Sequence, residues 1–394
     1  MQTTALLTKE IQDFITQHVE ADVAVLALQK NKFPNADWTA ILNQIAAKQK
    51  AKTKLPTWFT TEHILYPSKI SVEQTSSEKT AAYKAGLVSG QKLIDLTGGF
   101  GVDDFYFAKK IAQVIHCEIN EELSALVAHN FEKLQVRNIQ CIAKDSSTVL
   151  KDLAQPFDWI YIDPSRRNEQ KGKVFMLKDC LPNVPEMLDF YWGFASNIMI
   201  KTAPILDITA GLSELKNVRE IHVVAVDNEV KELLWILEKD YSQSIKMVTV
   251  NLVKEKTETF AFELNSTEKT VGYHLPKKYL YEPNATIMKS GGFDEIPAAF
   301  RVEKLHRHSH LYTSERLIEF PGRTFEIEHC IPYHKTDMKQ LLENKKANIT
   351  ARNFPDSVET IRKKWKIKDG GSLYCFFTTD ATNTKIVLLC SKIE

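Results

Sequence analysis

Asp95, Thr97, Gly98, Gly99, Phe100, Gly101 and Asp103 lie within one short segment, and no other stretch of the chain is better suited to chemistry. The apolar run at 93–96 reads as a buried strand, and helix-compatible residues begin near Val102. The glycines therefore occupy a strand-to-helix turn. A glycine has no Cβ to keep a ligand away from the backbone. The helix that follows points its first N–H groups across the strand ends. Such a loop suits a nucleotide-like ligand. A phosphate-cradling G-x-x-x-x-G-K-[ST] loop is excluded, because no Lys-Ser or Lys-Thr follows. A dinucleotide G-x-G-x-x-G fingerprint fails as well: counting from Gly99 and Gly101, the third glycine would fall at Asp104. Two readings remain, an acidic strand end leading into Thr-Gly-Gly-x-Gly that holds another kind of cofactor, or a tight turn without a ligand.

Further strand ends supply the partners such a cofactor would need. Residues 114–119 read as a second strand with Glu118 and Ile119 at its end, where a carboxylate can accept from a ribose diol. A helix over 121–134 carries Leu123, Leu126, Val127 and Leu134 at helical spacing. A third strand at 139–143 leads to Asp145 and Ser146, and a fourth at 157–162 runs into Asp163, Pro164, Ser165, Arg166 and Arg167. The fifth strand, 197–203, places Lys201 inside an otherwise apolar run near the same rim. Between the fourth and fifth strands a helix is expected with Leu181, Met187, Leu188 and Phe190. Beyond them come a strand at 220–226, a helix rich in Leu233, Leu234, Trp235 and Leu237, and a hairpin of 247–252 with 259–264. Strands alternating with helices predict an α/β fold, a Rossmann-like, mainly parallel sheet with helices on both faces and an antiparallel last strand.

The flanks are expected to carry binding rather than chemistry. Residues 1–65 show helical apolar stripes (Leu6, Ile11, Phe14, Ile15; then Trp38, Ile41, Leu42, Ile45) and read as an N-terminal helical region. Thr75 and Glu78 fit a capping box that opens the helix before the glycine loop, with Gln74 and Ser77 near it as candidate cofactor contacts. From 265 onward turn residues separate short segments, and 325–394 reads as a small α+β unit. His306, His308 and His310 would share one face of an extended segment; solvated histidines on a basic strand are favoured there over a metal site. Around them lie Arg301, Lys304, Arg307, Tyr312 and Arg316, and Arg362, Lys363, Lys364 and Trp365 form a second basic cluster. Basic side chains interleaved with aromatics suit phosphates and stacked bases.

At 394 residues the chain should hold two or three domains, and 43% hydrophobic with 26% charged residues is ordinary for a globular protein. A formal net charge of +1 gives no global pull on polyanions, so any nucleic-acid surface must be a local patch. Six cysteines without a C-x-x-C pair argue against a zinc site and a disulfide framework. No signal-like N-terminus and no apolar run of membrane-spanning length is seen, so a cytoplasmic protein without metal or membrane partner is expected.

The loop from Asp95 to Asp103 resembles motif I of the Rossmann-like S-adenosylmethionine-dependent methyltransferases. In that family the acidic residue and glycine loop face the amino acid part of the cofactor, and an acidic residue matching Asp145 meets the adenine amine. Asp163-Pro164 matches the first half of the Asp/Asn-Pro-Pro-aromatic motif of amino-directed enzymes, whereas Ser165-Arg166-Arg167 departs from its second half and offers no aromatic. Together with Tyr66-Pro-Ser, Glu73-Gln-Thr-Ser-Ser-Glu78, Glu282-Pro-Asn-Ala-Thr-Ile-Met288, Ala347-Asn-Ile-Thr-Ala-Arg352 and Lys368-Asp-Gly-Gly371, these strings resemble the bacterial methyltransferase family that carries a C-terminal THUMP-like domain. The resemblance implies a methyltransferase domain at 66–265, a small ferredoxin-like module at 266–324 and a THUMP-like domain at 325–394. It implies S-adenosyl-L-methionine held by Gln74, Ser77, Asp95, Thr97, Gly98, Gly99, Phe100, Gly101, Asp103, Glu118, Ile119, Asp145, Ser146 and Asp163. Asp163, Pro164, Ser165, Arg166 and Lys201 would serve the methyl acceptor. The implied substrate is RNA, a base of tRNA or rRNA, with Arg166, Arg167, Arg307, Arg352, Arg362, Lys363 and Lys364 as contacts. The alternatives are a catalytically silent RNA-binding protein on the same scaffold, or a methyltransferase of proteins or small molecules.

Overall fold

The computed structural model describes residues 5–166, 176–254, 256–264 and 271–393. The chain divides into two compact units, Met1–Arg219 with Leu233–Gln243, and Glu220–Glu232 with Ser244–Glu394.

In the first unit the N-terminal apolar stripes form helices as expected. Leu6, Ile11, Phe14, Ile15, Leu26, Ile41, Leu42, Ile45 and Leu65 close one buried cluster. Asp22 and Asp37 cap the helices Val23–Ala27 and Trp38–Lys54 by accepting from the N–H of Ala24 and Thr39. A second cluster gathers Ala51, Leu55, Trp58, Tyr66, Phe100, Phe105, Val127 and Phe131, so the N-terminal helices cover the glycine loop from one side. The expected capping box takes another form. Thr75 ends the helix Lys69–Gln74, and Ser77 is the N-cap of Glu78–Ala85, accepting from Thr80 N–H. Glu78 does not fold back on its own helix, because its carboxylate accepts from the N–H and hydroxyl of Thr57 and from the hydroxyl of Tyr106.

The sheet of this unit is built from β1 (Lys92–Asp95), β2 (Gln113–Cys117), β3 (Ile139–Ile142) and β4 (Phe157–Ile162). A short ribbon of β5 (Ser165–Arg166) with β6 (Cys180–Leu181) follows β4, and then come β7 (Ala195–Thr202), β8 (Val218–Val226) and β9 (Glu229–Glu238). Within the first unit the order is β3-β2-β1-β4-β7-β9. All pairs from β3 to β7 are parallel, and β9 runs antiparallel to β7. Leu233–Leu237 therefore belongs to a strand, not the expected helix. A continuous run of five apolar residues suits a strand buried on both faces, and Leu233, Leu234, Trp235, Ile236 and Leu237 are all buried. Leu181 likewise lies in the β5–β6 ribbon and not in a helix, since the helix starts at Val184, beyond Pro182.

The second unit pairs β8 in parallel with β10 (Lys246–Leu252) and closes with the expected hairpin to β11 (Thr257–Glu263). Its other sheet follows as β12 (Tyr279–Pro283), β13 (Glu303–Lys304), β14 (Tyr312–Ser314), β15 (Gly322–Pro332), β16 (Asn348–Ala351), β17 (Leu373–Thr379) and β18 (Lys385–Ile393). Their order is β13-β14-β12-β15-β18-β17-β16. The helix Val358–Trp365 buries Ile361 and Trp365 in one core of this unit, with Phe377, Val387 and Leu389. The histidine segment is not extended: Ser309 N–H reaches back to His306 O at 3.3 Å in a turn, and His310 adopts φ +52°. The hydrogen bond of His306 to Asn353 and the stacking of His310 on Phe293, 3.6 Å between ring centroids, prevail over the strand.

Trp58 is fully buried against Phe100 and Phe105. Trp58→Ala is expected to lower stability by about 3–5 kcal/mol, read as a shift in the urea midpoint; an unshifted midpoint would contradict this packing.

Candidate active site

The glycine loop is fixed from beneath by buried polar groups. Asp95, at the end of β1, is buried, and its Oδ1 accepts from Thr97 N–H at 2.7 Å and from the Thr97 hydroxyl at 3.1 Å. Asp104, in the helix Val102–Phe107, meets the Nδ1 of His116 through Oδ2 at 2.6 Å, both side chains being fully buried. The Nε2 of His116 is buried without a hydrogen-bond partner. Burial, then the neighbouring Asp104, pushes the Asp95 carboxyl well above its ordinary range; burial, then Asp103, does the same for Asp104. Burial also lowers His116.

Gly98 owes its identity to this cluster. A Cβ on it would fall 2.2 Å from the His116 ring. Gly101, at φ +74°, is pressed on Phe131 in the same way. Gly99 differs: at φ +56° it has nothing nearer than 3.6 Å where a Cβ would stand, so its side of the loop is open. Phe100 turns into the core between Trp58 and Tyr66 and offers a ligand only its backbone.

The strand ends carry a row of acidic groups. Glu118 Oε2 accepts from Gly99 N–H at 3.1 Å and Oε1 from Asn120 N–H at 2.8 Å, which ties the second strand end to the loop. Ile119 beside it is 73% exposed, a large apolar side chain set against the polar rim. Asp145 caps the helix Ser146–Leu153 through Oδ1, and its side chain is exposed. An open glycine turn, an exposed aliphatic side chain and two strand-end carboxylates that accept hydrogen bonds are groups that suit a purine nucleoside. Gln74 is exposed at the end of its helix, and Ser77 is engaged as a cap.

The end of β4 is equally defined. Asp163 N–H donates to the Thr97 hydroxyl at 2.7 Å, joining the ends of β1 and β4. The Asp163 carboxylate is ion-paired through Oδ2 with Lys201, near the end of the adjacent β7. Pro164 is buried and Ser165 exposed in the β5–β6 ribbon. Of Arg166 only the backbone is described, and Arg167 lies outside the described residues.

Beside this pair lies a network that the motifs alone do not single out. Asp103 sits 3.2 Å from the fully buried Lys84 and accepts from the Ser76 hydroxyl at 2.9 Å and the Tyr161 hydroxyl at 2.7 Å. Burial opposes its charge, but Lys84, Lys201 and those two hydroxyls outweigh burial and hold the carboxyl below its usual range. A lysine on the apolar stripe of Ala81 and Ala85, and a histidine within the apolar β2, are the sequence signals that point to Lys84 and His116.

The basic residues of the second unit separate into two kinds. Arg362 is paired with Asp369 at 2.5 Å and donates to Ala347 O, and Lys364 reaches the Tyr333 hydroxyl at 3.0 Å and Asp356 at 3.6 Å. Arg352 meets Glu282 at 3.2 Å, while Arg307 and Lys363 are exposed. Among the described residues no group of three or more His, Cys, Asp or Glu side chains is placed to hold a metal ion, and no helix is long and apolar enough to cross a membrane.

The two buried aspartates predict opposite pH effects. A carboxyl held low contributes stability that is present above its unfolded value and lost as pH falls through its folded one, so Asp103→Asn should cost about 3 kcal/mol at neutral pH and progressively less as pH falls below about 4. A carboxyl pushed up contributes in acid and loses that contribution as pH rises, so Asp104→Asn should stabilise at neutral pH and be near neutral in acid. Urea unfolding across pH checks both; equal signs for the two variants would refute the assignment.

The ferredoxin-like domain model matches residues 279–321 and the THUMP domain-like model residues 322–392. No curated protein matches the chain. Two solved structures, each described as a putative methyltransferase, are similar to it. The Porphyromonas gingivalis W83 protein is 31% identical, with 100% of each chain covered and a TM-score of 0.87. The Escherichia coli protein yhhF is 17% identical over 41% of this chain and 85% of that one, with a TM-score of 0.31. With 31% identity over the full length and the fold shared with the first of them, and a THUMP-like domain at residues 322–392, the chain belongs to the family of class I S-adenosylmethionine-dependent methyltransferase proteins that carry such a domain.

Proposed function

We propose that the chain transfers a methyl group from S-adenosylmethionine to a base of RNA, tRNA or rRNA, with the C-terminal domains binding the RNA. The observation that carries this reading is the Asp163–Lys201 pair at the ends of β4 and β7, set on the same rim as Glu118, Ile119 and Asp145. We read the domains as a helical region at 1–65, the catalytic domain at 66–265, and modules at 266–324 and 325–394 for the RNA.

When bound, S-adenosylmethionine supplies an electrophilic methyl on a sulfonium. Glu118 would accept from the ribose hydroxyls, Ile119 would cover one face of the adenine, and Asp145 would accept from its amine. Asp95 works indirectly here: buried on Thr97, it shapes the loop whose open side, at Gly99, would face the amino acid end. The acceptor must be aligned with the methyl, and water kept out. Lys201 occupies Asp163 Oδ2, and the Thr97 hydroxyl holds the Asp163 backbone, so the remaining oxygen Oδ1 is fixed as an acceptor for an N–H of the substrate. As Ser165-Arg166-Arg167 stands where the motif continues as Pro-aromatic, stacking on the base must come from another residue. The lack of that aromatic after Asp163-Pro164 favours a second reading, a silent RNA-binding scaffold.

Calorimetry with S-adenosylhomocysteine should show micromolar-range affinity, roughly −8 kcal/mol, weakened about tenfold or more by Glu118→Ala through loss of a charged hydrogen-bond partner. No heat from the parent chain would sink the cofactor reading. For the chemistry, tritiated methyl incorporation into total RNA from a strain lacking the gene should fall about a hundredfold in Asp163→Ala, which removes the accepting oxygen, a loss typical of a positioned proton-handling group, far more than S-adenosylhomocysteine affinity falls. Binding without incorporation by the parent would favour the silent scaffold.

A further inference from the structure

We propose that Arg323, Arg352 and the turn at 306–308 form a phosphate-binding surface for the RNA, a proposal that rests on the RNA reading above and names the residues that would carry it. Glu282 is buried and receives both arginines. Its Oε2 accepts from Arg323 Nε at 2.7 Å and from Arg323 Nη2, and its Oε1 from Arg352 Nη2 at 3.2 Å. Two guanidiniums on one carboxylate leave a positive charge over. Among the described residues no second carboxylate pairs with either arginine. Surplus charge at a partly buried site is costly until another anion joins it.

Both side chains remain open to one, at 41% exposure for Arg323 and 31% for Arg352. Each guanidinium has five N–H donors, and Glu282 uses three of the ten. The forks are also held in place, Arg323 by the Phe325 ring at 5.5 Å and Arg352 by Glu282. Fixed planar donors with free N–H groups match phosphate oxygens.

The turn is fastened beside them. His306 Nδ1 meets Asn353 Nδ2 at 2.9 Å, next in sequence to Arg352, and His306 Nε2 meets Asn383 Oδ1 at 3.1 Å. Arg307 and His308 are thereby presented to solvent next to the fork. The field of the cluster reaches His310, whose pKa is pushed down to about 4 by burial and then by Lys304 and Arg352. Arg362 and Lys364 lack this surplus, since each faces an acidic partner. A local excess of this kind is what a chain of net charge +1 needs to hold a polyanion.

The test uses the full chain, labelled bulk tRNA as probe, and filter binding across a KCl series. Arg307→Ala, an exposed change that leaves Glu282 fully paired, and Arg352→Gln should each weaken binding about three- to tenfold. Each should also make the log–log salt slope shallower, by about 0.7–0.9 for every phosphate that is no longer neutralised. Far-UV circular dichroism verifies that Arg352→Gln is folded, and an S-adenosylhomocysteine titration of the same samples reports separately on the first unit. An unchanged affinity and slope for Arg307→Ala overturns the proposal. A parent chain that binds S-adenosylhomocysteine but not tRNA also overturns it, leaving methyl transfer to another acceptor. A shallower slope with no S-adenosylhomocysteine binding supports the surface and refutes the catalytic reading.

Discussion

The cluster of Asp95, Asp104 and His116 beneath the glycine loop is the constraint on which the site depends. Its three side chains come from β1, from the helix after the loop and from β2, and all are buried. Burying three titratable groups is tolerable only if few of them are charged and their polar atoms are shared. Burial favours the uncharged forms, raising both carboxyls and lowering the imidazole. The loop geometry follows. Asp95 holds Thr97 from below, the His116 ring leaves no room for anything but glycine at 98, and Cys117 O receives the Gly98 N–H at 2.8 Å. What is left facing outward is Gly99 and the strand ends.

From that fixed loop the connections run sideways. Thr97 is bound on both sides, donating to Asp95 and accepting from Asp163, so the glycine loop and the segment after β4 share one hydroxyl. Glu118 does the same on the other flank, binding Gly99 N–H. Asp103 links the loop helix to Lys84 and Tyr161, and Lys201 contributes to its charge balance while pairing with Asp163. A site linked this way resists small displacements, and methyl transfer demands that resistance because its geometry is a line of three atoms.

Much of this order is legible in the sequence because strand ends have a register. Glu118, Asp145 and Asp163 each follow an apolar run, and a parallel sheet brings such ends to one edge. What the sequence does not disclose depends on long-range partners. That Glu78 accepts from Thr57, that Asp95 is sealed beneath the loop, and that the two glycines at 98 and 101 answer to His116 and Phe131 are facts about residues far apart in the chain. Leu233–Leu237 departs from expectation for another reason: a five-residue apolar run has no period by which to tell a helix from a strand buried on both faces.

Charge in the C-terminal unit is legible as composition but not as function. A run such as Arg362, Lys363 and Lys364 looks available in sequence, yet two of its three cations are matched by Asp369 and by Tyr333 with Asp356. Arg323 and Arg352 look isolated, yet they converge on Glu282 and leave a charge unmatched. The quantity that matters for a polyanion is the local surplus after pairing, and only the folded chain shows where pairing stops. By that measure β15 and the end of β16, beside the turn at 306–308, carry as much surplus as the helix whose sequence is the more basic, where pairing leaves Lys363 over.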